Sequence, residues 1–405
     1  MKWMLIVFFF ATWCWGQSVT WQPNSQAWPR HIIDNEGRGA DGVRLGMVKG
    51  VLALTTGWEE SGETKLYLYP GQEQVRDPWP SVVVGQTPSV EDAVFLPLPG
   101  EEYPAIISCC EGNECTIYAH ECPWAPTPLE YQKWHTHVLG NSREKMQWMF
   151  CFPHQLDDQH GIDLICAGKN EHAAIGWFEA PESATEWQDY TWHSLSPVGW
   201  VMSILVSDMD GDGDDDIVLS DRRGALSGCR WLENPGRDQL KVAEWNNHMI
   251  GARQQEIMFM TLTDVDGDGL QDAIAAVKER SIYYMKRLDE SGKRWNSRII
   301  TFPENTGTAK AVKVADVDLD GVSDFLVTCE HADPPKAGVF WLKSISNQNA
   351  GEFMAMDISG PQGIKFDRME LIDLDRDGDL DILTCEERHE NRGLGLIWYE
   401  NPTHP

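Results

Sequence analysis

The chain has 405 residues, with 63 Asp and Glu against 33 Lys and Arg and a formal net charge of −30. That acidity argues against nucleic acid and anionic membrane as partners, because both select basic patches. The length admits two or three ordinary domains or one large repeat domain.

Residues 1–16 read as a secretory signal peptide. Lys2 precedes an apolar run from Met4 to Trp13, and Cys14-Trp15-Gly16 gives a small-x-small cleavage pattern before Gln17. No segment reaches the ~20 apolar residues a membrane span needs. The expectation is an exported protein, periplasmic or extracellular, with a single domain over 17–405. Among the cysteines, Cys109, Cys110, Cys115 and Cys122 cluster, which in an exported chain admits a local disulfide. Cys166, Cys329 and Cys385 fall on expected core strands, where a small buried hydrophobe suffices.

The segment Trp28-Pro29-Arg30-His31-Ile32-Ile33-Asp34 reads as a lone strand. After it the chain repeats. Four loops spell Asp-x-Asp-x-Asp-Gly-x-x-Asp, starting at Asp208, Asp264, Asp316 and Asp373. Aligned on their ninth positions, Asp216, Asp272, Asp324 and Asp381, they lie 52–57 residues apart. Similar steps backward reach Asp163, Ala105 and Ala53, so the chain holds seven units, three of them with eroded loops. In the first unit Gly50 keeps the place of the loop glycine, while Leu45, Met47 and Lys49 stand at the acidic positions.

Each unit reads as four short strands. In the fourth they are Ser203–Ser207, Asp216–Ser220, Cys229–Glu233 and Trp245–Ile250. A third strand with Trp-x-Glu recurs at Trp177-Phe178-Glu179, Trp231-Leu232-Glu233 and Trp398-Tyr399-Glu400, each closed by a proline shortly after. Seven such units predict an all-β, seven-bladed β-propeller. The last unit ends after its third strand, so the strand in 28–34 is expected to complete it and latch the ring.

Packed carboxylates repel unless a hard dication bridges them, and Ca²⁺ takes six to eight oxygen ligands. About four structural Ca²⁺ sites are therefore expected, and no motif for an organic cofactor is evident. The loops and their following apolar strands resemble the FG-GAP/VCBS repeat propellers, with the integrin α-subunit head as a relative. The wider pattern, including Gly57-Trp58-Glu59-Glu60 and Met146–Phe150, is similar to exported bacterial VCBS repeat proteins. The resemblance implies side-chain ligands at loop positions 1, 3, 5 and 9 and a backbone carbonyl at position 7. These are Asp208, Asp210, Asp212 and Asp216 with Asp214; Asp264, Asp266, Asp268 and Asp272 with Leu270. They continue as Asp316, Asp318, Asp320 and Asp324 with Val322; and Asp373, Asp375, Asp377 and Asp381 with Asp379.

On the opposite face, the residues six past each aligned position are Glu59, Glu111, Lys169, Arg222, Lys278, Glu330 and Glu387. All are charged, and they predict a ring around one mouth of the channel. Trp58, Asp221, His331, Glu386 and Arg388 lie nearby; loops entering the first strands add Asp41, Glu91, Asp92, Gln147, Trp148, Trp200, Glu256, Lys310 and Lys365. The plain reading is that strand ends are polar because they meet water. The sharper one is a site for a polar ligand with a flat face, an anionic polysaccharide, with Lys169, Arg222 and Lys278 as a basic arc facing an acidic one. A protein-protein scaffold is the second binding reading. The enzymatic alternative is a polysaccharide lyase or sugar dehydratase working by β-elimination, which needs a base and a neutralising cation. Glu330, His331 or a lysine would be the base and Arg222 with Lys278 the cations. His331 beside Glu330 also admits a transition metal, with a second histidine such as His120 or His172. Propeller-type polysaccharide lyases and aldos-2-ulose dehydratase are similar in architecture, without a residue motif shared with this chain.

Overall fold

The computed structural model describes residues 18–23, 26–122, 127–130, 133–241, 244–345, 351–387 and 393–404. The expected signal peptide and Arg388 lie outside them. Seven sheets stand in a ring, the four strands of each blade antiparallel and the first of them innermost. Blades 1 to 6 occupy 40–86, 90–138, 147–197, 201–251, 257–301 and 308–357; blade 7 takes 366–399. This is the all-β, seven-bladed propeller that the repeat period predicts. In blade 4 the strands are Val201–Ser207, Asp216–Asp221, Gly228–Glu233 and Asn246–Gly251, within two residues of the expectation.

The ring closes as the missing strand predicts. Arg30–Asp34 pairs antiparallel with Gly395–Tyr399, His31 opposite Trp398. Asp34 then reaches into blade 1, accepting from Lys65 Nζ and Tyr67 Oη at 2.8 Å each. On the inner side, the Gly42 amide of blade 1 donates to Asp367 Oδ2 of blade 7 at 3.1 Å. Closure covers the edge of the third strand of blade 7 and leaves the short Arg30–Asp34 strand outermost. One element was not foreseen: Ser18–Trp21 adds a parallel fifth strand to blade 6, along Glu352–Asp357. Four residues carry too little alternation to read as a strand.

The core lies between blades. At the closing join, Ile33, Leu383 and Trp398 meet Val43, Leu54 and Trp58. The recurrent Trp-x-Glu of the third strand has a partner that the sequence reading missed, a histidine on the fourth. His193, His248 and His31 pack tilted against Trp177, Trp231 and Trp398 with centroids 4.8, 4.3 and 4.5 Å apart. Their Nε2 atoms meet Glu179, Glu233 and Glu400. His31 plays this part from the N-terminal strand, so that strand is a true fourth strand of blade 7.

Loop erosion takes two forms. In blade 1 the nine-residue loop is gone: Leu45 and Met47 belong to the strand Ala40–Val48, and a two-residue turn follows. Its residues Lys49 and Gly50 both have positive φ, 50° and 76°, the geometry that suits the twist of a tight hairpin. Blade 3 keeps the third and last aspartates, Asp157 and Asp163, with Gln155 and Gln159 at the first and fifth positions. Asp163 is fully buried and accepts from the Leu156 and Ala180 amides at 2.9 and 2.8 Å. The expected local disulfide is not formed: Cys109 packs toward blade 3 and Cys122 toward blade 1, and all nine described cysteines are free. Cys166, Cys329 and Cys385 are buried on second strands, as expected.

Asp163 thus pins a hairpin whose first- and fifth-position carboxylates are gone. Replacing it with alanine orphans two buried amides and should lower unfolding free energy by about 2–4 kcal/mol. Urea unfolding of Asp163→Ala, with and without a chelator, checks this; the loss should be the same in both.

Candidate functional site

Each intact loop joins a first strand to a second on one face of the ring. The first aspartate folds the loop around its own carboxylate. Asp208 accepts from the Gly211 and Gly213 amides at 2.7 and 3.1 Å, and Asp264 from Gly267, Asp268 and Gly269 at 2.8–3.1 Å. Asp316 and Asp373 do the same from Asp320, Gly321, Asp377 and Gly378. The fifth-position carboxylates Asp212, Asp268, Asp320 and Asp377 accept from the residue two further on: Asp214, Leu270, Val322 and Asp379. The ninth is buried and clamped by backbone: Asp216 by Met209 and Asn234, Asp381 by Leu374 and Asn401, Asp272 by Val265 and Arg287. Asp324 accepts from the Ser344 amide at 2.7 Å.

The third position behaves differently. Oδ1 of Asp210, Asp318 and Asp375 is buried with no hydrogen-bond partner. A buried anionic oxygen left unpaired is costly, and three loops leave it at the same position. In blades 4, 5 and 6, carboxylate oxygens of the loop converge within 4.8 Å of one another. This donor set fits a hard, oxygen-seeking dication.

The loops are not equivalent. Opposite the ninth aspartate, on the third strand, stand Glu233 in blade 4, Lys286 in blade 5, Lys343 in blade 6 and Glu400 in blade 7. Lys286 pairs with Asp266 and, at 2.9 Å, with Asp268. Lys343 pairs with Asp318 and, at 3.0 Å, with Asp320. In blade 7 Arg76 of blade 1 contacts Asp375 at 2.6 Å while held by Glu400 at 2.8 Å.

The other mouth owes its chemistry to a backbone irregularity. All seven first strands shift register within their opening residues: Asp41/Arg44, Val90/Asp92, Trp148/Phe150, Val201/Ser203, Ile257/Met260, Ala309/Ala311 and Phe366/Met369. A bulge re-aims the residues it contains. Here Glu91, Lys310 and Asp367 are among them. They meet the charged ends of the second strands, which sit where the seven-fold spacing puts them. Lys169 pairs with Glu111 and, at 3.4 Å, with Glu91. Lys310 Nζ lies 3.0 Å from Glu330, 3.2 Å from Glu387 and 3.3 Å from Asp367. Lys365 also holds Glu387, and Lys278 stands 3.7 Å from Glu330. Arg222 pairs with Glu256 at 3.1 Å. The expected basic and acidic arcs are therefore stitched together by ion pairs, most of them between neighbouring blades.

Burial sharpens these charges. It pulls the Lys310 ammonium down, but Asp367, Glu387 and Glu330 outweigh it and hold it well above its ordinary value. Burial pushes Asp367 up, and Lys310 overrides it, to about 2. Glu387 is pushed up to about 7 by burial against the pull of Lys310. Asp41 is raised well above the carboxylate range by burial and then by Glu387 and Asp367. Asp41, Asp367 and Glu387 bring oxygens within 4.8 Å of one another, as do Glu59, Glu91 and Glu111, but Lys310 and Lys169 already supply a cation to each group.

Several candidate residues serve the fold instead. Trp58 and Trp148 are buried, donating to Tyr67 Oη and the Ser142 carbonyl. Asp221 caps the Gly199 and Trp200 amides, and Glu386 those of Ile364, Lys365 and Leu394. His331 is exposed and bonds Thr308. His120 is sealed inside blade 2 between Ser108 and Thr136, pushed down to about 3 by burial, and does not join it. His172 is exposed beside Glu171. An aromatic residue at the mouth is Trp200. Lys169 and Arg222 lie 4.4 Å from its ring centroid and Arg223 4.7 Å.

Removing the Lys310 charge leaves buried carboxylates facing one another. Lys310→Met should cost about 3–5 kcal/mol at pH 8. Glu387 and Asp41 have raised folded values, so the folded form binds their protons more tightly than the unfolded chain. The variant should regain stability as pH falls from 8 to 5. Melting curves of both proteins across that range check the sign.

Residues 264–327, from the blade 5 loop into the second strand of blade 6, match the family model described as FG-GAP-like repeat. No curated protein matches. A solved structure of BBS1N in complex with ARL6DN, soaked with mercury, is similar over 93% of this chain and 96% of that chain, at 10% identity and a TM-score of 0.49. The chain carries an FG-GAP-like repeat within a seven-bladed β-propeller.

Proposed function

We propose that this is an exported propeller, braced by Ca²⁺ in its aspartate loops, that binds an anionic carbohydrate at the opposite mouth. The observation that carries the binding reading is the charge balance around Trp200. Arg222 and Arg223 share one carboxylate, Glu256 Oε1, at 3.1 and 3.2 Å. Two guanidiniums against one carboxylate leave a positive charge over on an acidic protein. Arg223 is half exposed. A guanidinium matches the planar carboxylate of a uronic acid or a sulfate, and a half-buried indole beside it suits a sugar ring. The ion pairs around the rest of the mouth would hold this corner rigid. Export rests on residues 1–16, and Ca²⁺ on the orphaned third-position oxygens. The loops would give Ca²⁺ the first-, third- and fifth-position carboxylates as ligands. The ninth keeps lone pairs beyond those its amides use.

Calorimetric titration with uronic-acid and sulfated oligosaccharides tests the mouth. Arg223→Ala should weaken binding roughly tenfold, the worth of one charge-assisted hydrogen bond. Binding unaltered by that substitution would sink the reading, and unsaturated products would move it to β-elimination. A chelator should lower the melting temperature, since an ion at a hundred times its Kd stabilises by about 2.7 kcal/mol per site. Lys286 and Lys343 act as tethered cations in their loops. Lys343→Met should therefore tighten Ca²⁺ binding in blade 6, read as a higher-affinity step in a Ca²⁺ titration. A melting curve indifferent to chelator would dismiss the ion.

A further inference from the structure

Blades 2 and 3 meet across a group of thiols that neither face uses. Cys109 lies on the second strand of blade 2, Ala105–Cys110. Cys151 lies on the first strand of blade 3, Gln147–His154, and Cys166 on its second, Asp163–Lys169. Cys151 and Cys166 are direct cross-strand partners. Cys151 Sγ stands 2.7 Å from Cys166 Sγ and 3.0 Å from Cys109 Sγ. Both separations are shorter than the van der Waals contact of two sulfurs. All three residues are at most 1% exposed, packed with Ile107, Trp148 and Phe178. The Arg44–Asp92 pair lies alongside, with Asp92 Oδ2 at 3.4 Å from the Cys151 amide.

We propose that Cys151 is a disulfide-forming residue, bonded to Cys109 or to Cys166, with the third thiol resting against the bond. Only one bond exists at a time, because Cys151 is common to both pairs. The two cysteines give up two protons and two electrons. The acceptor is a disulfide, carried by a thiol oxidoreductase or a small molecule, which leaves as two thiols. A Cys109–Cys151 bond would tie neighbouring blades and close a longer loop than Cys151–Cys166. In the chain-entropy account it constrains the unfolded chain more. Before the blades close, attack by the third sulfur as thiolate would interconvert the two without further oxidant. Burial pushes these thiols up, Cys166 to about 11, and keeps them from the thiolate that exchange requires. The bond therefore forms before blades 2 and 3 close over it and is shielded afterwards.

The test uses the full chain refolded in a mixture of oxidised and reduced glutathione. It is then unfolded at acid pH, alkylated without reductant and compared by mass with a fully reduced control. Two fewer alkylated cysteines are expected, with a peptide pair linking 151 to 109 or 166. The unreduced protein should also melt higher than the same protein refolded with reductant. Cys151→Ser should restore full alkylation of the remaining thiols, whereas Cys115→Ser should leave the link in place. Equal alkylation with and without reductant would overturn the proposal. So would a link that omits residue 151, or zinc retained by three free thiols.

Discussion

The blade depends on a buried carboxylate that accepts backbone amides from both ends of its hairpins. In blades 3, 4 and 7 the aspartate that starts the second strand takes one amide from the loop before it and one from just past the third strand. Leu156 and Ala180 bind Asp163, Met209 and Asn234 bind Asp216, and Leu374 and Asn401 bind Asp381. Asp272 repeats this with Val265 and Arg287. A carboxylate out of water is stable only when its lone pairs are used. The two hairpin connections on that face are therefore fixed together or not at all. Blade 1 has Ala53 there and solves the same problem with backbone alone, the Tyr69 amide donating to the Leu52 carbonyl at 2.9 Å. The ninth aspartate thus belongs to the hairpin first, which is why it survives in blade 3 where the first- and fifth-position aspartates have become Gln155 and Gln159.

The opposite mouth follows a different logic. Seven blades of one design would make a symmetric funnel. The bulge at the start of each first strand breaks that symmetry without disturbing the core, because it sits where the ladder ends. What each bulge delivers depends on its sequence: Glu91, Lys310 and Asp367 on blades 2, 6 and 7, but Met202 and Met258 on blades 4 and 5. Charge accordingly gathers on the side of blades 6, 7, 1 and 2. Each buried carboxylate there needs a cation from a neighbouring blade, so the same contacts that neutralise the mouth hold the blades in register.

The period of the aspartate loops made the ring, the blade count and the closing strand legible, because each depends on spacing and alternation alone. The charged ring at the ends of the second strands was legible for the same reason. The bulges were not, since one extra residue per strand leaves no mark in a pattern of period two. Neither was the fate of Trp58 and Trp148, whose position near the mouth says nothing of the side to which the strand turns them. The histidine facing each Trp-x-Glu was visible in Thr-Trp-His193, Asn-Asn-His248 and Arg-His31. Nothing in a single strand of period two marks the histidine as the one that meets the third strand's tryptophan. Two sulfurs from one blade and one from the next cannot be paired by spacing at all.

The residue opposite the ninth aspartate decides how each loop handles its charge. It lies at the rim, where packing imposes no side chain, so Glu233, Lys286, Lys343 and Glu400 can differ while the clamp stays the same. A lysine there meets the third- and fifth-position carboxylates, yet one ammonium cannot balance four aspartates. In blade 6 it leaves Asp318 Oδ1 unpaired even while holding the other oxygen's side of the group. A glutamate there adds to the deficit, and blade 7 answers by borrowing Arg76 from blade 1 across the closing join. The uncompensated charge that remains is the physical reason to expect a further cation in every loop. It is also the reason to expect the tightest binding where no side chain of the protein already competes for the third and fifth carboxylates.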